Sequence, residues 1–244
     1  MIKVITGMHR SGTSLLARLF FEAGANMGDS ETFYPANRWN AEGYYEQIEI
    51  LEINIALING PWWKLSYFSL PTEKTIQRRA RKQSKELKKM VEKYHDKVIK
   101  DCRFCLTLRS WVENGAGIGK IIVCLRDPIA VAGSLRKRNR ITFRFALKLW
   151  LLHNERLLCA WRKKPIWFVK YENLLNDKSF YQELEAAFRF FDIKASQRTL
   201  ELLKCRCVRV EMNHNSELHT ELPENTRLLW SQLLEKHKRQ FQRA

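Results

Sequence analysis

Gly7 and Gly12 frame the segment Gly7-Met8-His9-Arg10-Ser11-Gly12-Thr13-Ser14, close to the start of a chain of 244 residues. Their spacing is that of a phosphate-binding loop, in which glycines let backbone N–H groups curl around an anion at the positive end of the following helix. Thr13 stands where a nucleoside triphosphatase needs a lysine as the main counter-charge of the β- and γ-phosphates. No later apolar strand ends in the aspartate that would hold magnesium; the run 120–125 ends in Arg126-Asp127. These residues point to phosphate binding and away from ordinary ATP hydrolysis. Arg10, inside the loop, is placed to reach a group leaving the bound phosphate.

The loop needs a strand before it and a helix after it. Lys3-Val4-Ile5-Thr6 is a short apolar run, and Leu15, Leu16, Leu19, Phe20 and Ala23 recur at helical spacing before Gly24. Val98-Ile99-Lys100-Asp101, 120–125 and 165–170 are further runs of strand length, each followed by a helical pattern. Strands alternating with helices imply a three-layer α/β/α fold with a central parallel sheet, as in P-loop nucleoside triphosphate hydrolases. Ile76, Ala80, Leu87, Met90, Val91 and Tyr94 predict one basic amphipathic helix over 72–97, either docked by its apolar stripe or closing as a lid over an anionic substrate. A second long helix is expected over 141–163, with Phe145, Leu149, Leu152 and Trp161 in the core. The basic end, 236–243, reads as a solvated helix tail.

Length and an apolar content of 45% suit one domain, 1–244, with the basic helical segment at about 72–97 as an insertion. The net charge of +17 calls for anionic partners: nucleotide phosphates, acidic glycans, nucleic acid or lipid headgroups. A strand beginning at Ile2 leaves no room for a signal peptide, and no apolar run is long enough to span a bilayer, so a cytoplasmic protein is expected. The six cysteines are too few for a disulfide framework at this length. The Cys102/Cys105 and Cys205/Cys207 pairs lack histidines at zinc-ligand spacing and are read as core thiols, with no metal expected.

With these residues in view, the chain resembles the sulfotransferases that use 3′-phosphoadenosine 5′-phosphosulfate (PAPS) as donor. Their 5′-phosphosulfate loop reads Lys/Arg-Ser-Gly-Thr/Ser-Thr/Ser, here Arg10-Ser11-Gly12-Thr13-Ser14, in the arginine version found in carbohydrate and tyrosylprotein branches. The family's second signature, an arginine closing a strand and a serine eight residues later, is matched by Arg126 and Ser134. Local chemistry agrees with it: a strand's C-terminal end faces the ligand crevice of a parallel sheet, Asp127 can cap the next helix, and Pro128 suits its first turn. The segments Asn40-Ala41-Glu42-Gly43-Tyr44-Tyr45-Glu46, Lys100-Asp101-Cys102-Arg103 and Val169-Lys170-Tyr171-Glu172-Asn173-Leu174 resemble bacterial members, so the likeness covers about residues 3–193. Cys102 departs from their usual proline. The last fifty residues match nothing, and the Arg-Lys-Gly motif that small-molecule members use for the 3′-phosphate is not found.

The resemblance implies a metal-free, in-line transfer of a sulfuryl group from PAPS to an acceptor hydroxyl or amine, in which positioning and charge stabilisation do most of the work. Arg10 would stabilise the bridging oxygen as the nucleotide leaves, Lys100 would hold a sulfonate oxygen, and Arg126 with Ser134 would bind the terminal phosphate. His9, Ser11, Gly12, Thr13 and Ser14 complete the donor loop, and Tyr171 is the adenine-site aromatic. Glu46 is the chosen base for the acceptor proton, with Glu42 and Asp29 in reserve. The arginine-type loop and the basic charge lean toward a sugar hydroxyl on a glycan or glycolipid, with no nucleic acid partner expected; the oligomeric state is left open. Two alternatives stand beside this reading: a P-loop kinase of small molecules and a non-catalytic binder of anionic polymers.

Overall fold

The computed structural model describes residues 1–60, 68, 70–115, 117–160, 164–208 and 221–242. Four parallel strands, β1 (Ile2–Thr6), β2 (Val98–Lys100), β3 (Ile118–Leu125) and β4 (Ile166–Lys170), form one sheet in the order β2-β1-β3-β4. The helices are α1 (Thr13–Glu22), α2 (Ile48–Asn59), α3 (Glu73–Lys82), α4 (Ser84–Lys93), α5 (Phe104–Asn114), α6 (Pro128–Asn139), α7 (Phe143–Ala160), α8 (Tyr171–Leu174), α9 (Phe180–Phe190), α10 (Gln197–Val208) and α11 (Glu224–Phe241). The expected central parallel sheet flanked by helices is what the chain adopts.

The layering follows from the two-residue period of the strands. In β3, Ile121, Val123 and Leu125 pack with α5 and α7 residues such as Phe104, Trp111 and Trp150 on one face. The alternate residues Ile122 and Cys124 join Leu16, Phe20, Leu184 and Phe188 on the other. After β2 the chain crosses to the far side of β1 to lay down β3. The order therefore reverses between β1 and β3, and a crevice opens beyond their C-terminal ends, where open α/β sheets bind ligands. The glycine loop follows β1 there, and Arg126 follows β3.

Three expected elements differ. The single helix over 72–97 is two, α3 and α4, broken at Gln83, whose backbone (φ −104°, ψ 17°) leaves helical geometry. Ile76, Ala80, Leu87, Met90 and Tyr94 are all buried in one cluster with the α5 side chains Leu108 and Trp111, which is the docked arrangement rather than a lid. The helix over 141–163 is α7, with Phe145 and Leu149 against the core; Trp161 lies outside the described residues. The basic end is not a solvated tail. In α11, His237 is buried against Glu183, and Gln240 gives and takes hydrogen bonds with the backbone of Phe168, covering the open edge of β4. Among the described residues no helix is long and apolar enough to cross a membrane.

Candidate active site

The loop between β1 and α1 is set by close packing. A Cβ on Gly7 would come within 2.5 Å of the Cys124 carbonyl oxygen, and one on Gly12 (φ +87°) would fall inside the Tyr171 ring. Arg10 itself holds a left-handed backbone (φ 70°), a conformation costly for a residue with a Cβ and met where function demands it. No side chain caps α1, so its first-turn N–H groups face the crevice with their share of the helix dipole. That is an anion cradle by geometry.

A cavity of about 540 Å³ opens over this loop, with six cationic and two acidic side chains on its walls. At its floor, Lys100 Nζ lies 2.5 Å from Glu46 Oε1 and 3.2 Å from Ser14 Oγ. Arg103 reaches Glu46 Oε2 at 3.3 Å and Asp101 Oδ1 at 2.9 Å. Asp101 is anchored from behind: Asn54 donates to it at 2.8 Å and accepts in turn from Thr107 and Trp111. Burial pushes the Glu46 carboxyl up, but the ammonium of Lys100 and the guanidinium of Arg103 outweigh burial and hold it below the usual value. Asp101 moves the other way, raised chiefly by burial.

His9 Nδ1 stands 3.0 Å from Cys102 Sγ. Burial, then the positive charges of Arg103, Lys100 and Arg138, keep His9 well below the ordinary histidine pKa, so the ring is neutral at pH 7. Cys102, with its thiol pushed well up by burial, is protonated. Glu46, Asp101 and Cys102 bring one potential metal-ligand atom each within 4.8 Å of one another. Both carboxylates are already engaged by Lys100, Arg103 and Asn54, so a divalent cation there would meet two fixed positive charges; the donor set does not suit a metal.

On the other side of the loop, Asp127 accepts from the N–H groups of Ile129 and Ala130 and Pro128 opens α6, as the residue types required. Arg126 Nη1 donates to the Arg10 carbonyl at 2.9 Å, and Arg10 Nε donates to Ser134 Oγ at 2.9 Å. The loop arginine, the strand-end arginine and the α6 serine are thus brought together. Tyr171 is buried with its ring against Gly12 and the Arg126 guanidinium 4.4 Å from its centroid.

His9, Arg10, Gly12, Thr13, Ser14, Glu46, Lys100, Arg126 and Tyr171 all line the cavity; Ser11 is buried within the loop, and Ser134 enters through Arg10. Of the reserve carboxylates, Glu42 lines the cavity and is ion-paired with Arg18, whereas Asp29 lies outside the lining and caps the turn at Glu31. Cys105 and Cys207 are buried as expected, whereas Cys205 is exposed and so is not the core thiol expected, and Cys102 is a cavity wall. Arg103, Arg138, Trp39 and Tyr34 were missed as site residues. Arg103 lies three residues after Lys100 in the segment Lys100-Asp101-Cys102-Arg103; the others carry no local signal, because the fold alone brings them to the cavity.

No protein-family model matches the chain, and no curated protein matches it. Among solved structures, the sulfotransferase domain of an olefin synthase from Synechococcus is similar at a TM-score of 0.55 and 14% identity, covering 96% of this chain and 94% of that one. A sulfotransferase from Mycobacterium tuberculosis is similar at a TM-score of 0.44 and 15% identity, over 96% of this chain and 75% of that one. The first likeness establishes the fold: an α/β architecture of the sulfotransferase type.

Proposed function

We propose that the chain is a sulfotransferase that moves a sulfuryl group from PAPS to an acceptor hydroxyl, with a sugar as the favoured acceptor. The observation that carries this reading is the junction of Arg10, Ser134 and Arg126 over an uncapped helix start. It offers two adjacent anion sites, while the lysine of triphosphate chemistry is replaced by Thr13. The residues fit the donor: α1 opens on the loop without a side-chain cap, and cations outnumber acids six to two on the cavity wall. The likeness of fold to a sulfotransferase domain supports the same reading.

The donor, when bound, supplies an activated sulfuryl group. The acceptor oxygen forms a new bond to sulfur as the bond between sulfur and the 5′-phosphate oxygen breaks, and adenosine 3′,5′-bisphosphate leaves with that electron pair. The chain's part is to orient, to neutralise charge and to remove a proton. Arg10 places a guanidinium where charge develops on the leaving oxygen. Lys100 and Ser14 face the sulfonate, and Arg126 with Ser134 hold the terminal phosphate. Glu46 takes the acceptor proton. In the resting site its basicity is suppressed by Lys100 at 2.5 Å, and it recovers when that ammonium turns to the sulfonate. Lys100 therefore links donor binding to base strength.

Transfer of labelled sulfate from PAPS to a panel of sugars tests this reading. Arg10→Ala is expected to lower the rate by about 10² to 10³, the usual cost of removing one preorganised donor to a developing oxyanion, with an unchanged circular dichroism spectrum. Transfer at the parental rate by that variant would remove the role assigned to Arg10.

A further inference from the structure

Helices α3 and α4 carry a basic side that the cavity does not use. Ile76, Ala80, Leu87 and Met90 fasten both helices to one core cluster. Arg78 and Lys82 each stand two residues from Ala80, Lys85 and Lys89 two residues from Leu87, and Lys88 two residues from Met90. Two residues are just over half a turn of an α-helix, so these cations point away from the core on both helices. With Arg81 they make six exposed cations over 78–89, where Glu86 is the one acid. Among the described residues, ion pairs on these helices occur only at the margins: Glu73 with Arg109 at 2.7 Å and Lys93 with Glu49 at 2.6 Å. Arg79 is turned inward, donating to the carbonyls of Leu57 and Ile58 near the end of α2.

A row of long cationic side chains calls for an anionic partner, and the make-up of the face selects its kind. Residues 73–93 contain no aromatic side chain, so single-stranded nucleic acid would find no platform on which to stack its bases. Both helices lie along the core by their apolar stripes, whereas reading a duplex requires an element that enters a groove. A protein interface has an apolar centre from which charges are depleted, and here the centre is all charge. A bilayer with anionic headgroups asks only for several Lys or Arg side chains spread over one broad face, each contributing about fivefold in affinity.

We propose that the outer face of α3 and α4 is a docking surface for an anionic lipid bilayer. The apolar stripes are already committed to the core, so the helices rest on the headgroups without inserting, and attachment is electrostatic and reversed by salt. None of the six cations lines the cavity, so the two surfaces are separate. Docking of this kind does not depend on sulfuryl transfer; a chain that transferred nothing would bind in the same way.

Cosedimentation of the full chain with phosphatidylcholine vesicles, with and without about one-third phosphatidylserine, tests this at physiological salt and at about 0.5 M salt. The chain is expected on the anionic vesicles at physiological salt and free of them at the higher salt. A variant combining Lys82→Gln, Lys85→Gln and Lys89→Gln, all at exposed positions, should bind those vesicles about a hundredfold less tightly, with an unchanged circular dichroism spectrum. A second variant, combining Lys178→Gln, Lys194→Gln and Arg198→Gln, removes the same charge from exposed positions beside α9 and α10, which pack on the other face of the sheet. It should bind nearly as the parent does, and so separates a docking face from the general attraction of a basic chain. No binding to the anionic vesicles, equal binding to phosphatidylcholine alone, or an equal loss in the two variants would overturn the docking surface. Displacement from the vesicles by a single-stranded or duplex oligonucleotide at matched phosphate concentration would overturn it too, assigning the face to nucleic acid.

Discussion

Two carboxylates in this protein are equally buried and differently employed. Glu46, 4% exposed, is held by the charged ends of Lys100 and Arg103, which come from β2 and the turn after it, and it borders a cavity. Glu183, 2% exposed, lies in a closed core and accepts from the backbone N–H of Lys170 at 2.7 Å, the side-chain amide of Asn173 at 2.7 Å and His237 Nε2 at 2.8 Å. The Glu183 cluster ties α9 and α11 to the corner between β4 and α8 from which Tyr171 packs on Gly12. The difference lies in the surroundings: a buried acid ringed by donors in a closed core fixes structure, whereas one held by two cations at a cavity wall borders the space a ligand would fill.

That contrast predicts opposite responses to mutation. Glu183→Ala leaves three buried donors without an acceptor and should lower unfolding free energy by about 3–5 kcal/mol, the usual cost of removing one member of a buried pair. Urea denaturation measures this loss. Bisphosphate binding per folded molecule should be nearly unchanged, and an equal fall in both would erase the distinction.

A second test titrates the site side. His9 and His153 pack edge to face at 6.0 Å, and burial keeps both from protonating, His153 down to about 4. Between the ordinary value of 6.5 and about 4, the unfolded chain binds a proton at His153 that the folded chain does not. Stability is therefore full above pH 6.5 and falls as the pH drops through that window, by roughly 3 kcal/mol from His153. His153→Asn should flatten this slope in urea unfolding between pH 7.5 and 4.5; a slope unchanged by the substitution would show that His153 does not stay neutral.

The smallest effect is the most discriminating. Glu46→Gln takes the counter-charge from Lys100 and should cost about 1–2 kcal/mol in the resting protein, less than a closed site because the cavity admits water. Adding adenosine 3′,5′-bisphosphate should raise the melting temperature of this variant more than that of the parent, since the ligand's charge replaces the missing carboxylate. An equal or smaller rise would place Glu46 with Glu183 as a structural acid.

What could be foreseen from the sequence divides along the same line. The four strands, the glycine loop and the Arg126-Asp127-Pro128 corner were legible because each is a local pattern: a period, a turn residue or a cap. The break at Gln83 was not, since Ile76, Ala80, Leu87 and Met90 keep one apolar stripe whether or not the helix is continuous. His237 and Gln240 gave no warning of docking, because buried polar residues carry no hydrophobic period and here contact partners more than fifty residues away. The Glu46–Lys100 pair is equally nonlocal. Only the fold places the carboxylate chosen as base beside the lysine chosen for the sulfonate, and only then does their coupling become visible.

The central claim, that loop 7–14 with Arg126 and Ser134 forms a two-part site for a nucleotide phosphorylated at both the 3′ and 5′ positions, is tested most directly by competition. Adenosine 3′,5′-bisphosphate and ATP with magnesium would be titrated separately into the intact protein and into Arg126→Ala. The account predicts that the bisphosphate binds, that ATP with magnesium neither binds comparably nor displaces it, and that Arg126→Ala weakens the bisphosphate by at least about tenfold, the loss of one charge-assisted phosphate contact. Preferential binding of ATP with magnesium, with none of the bisphosphate, would contradict it.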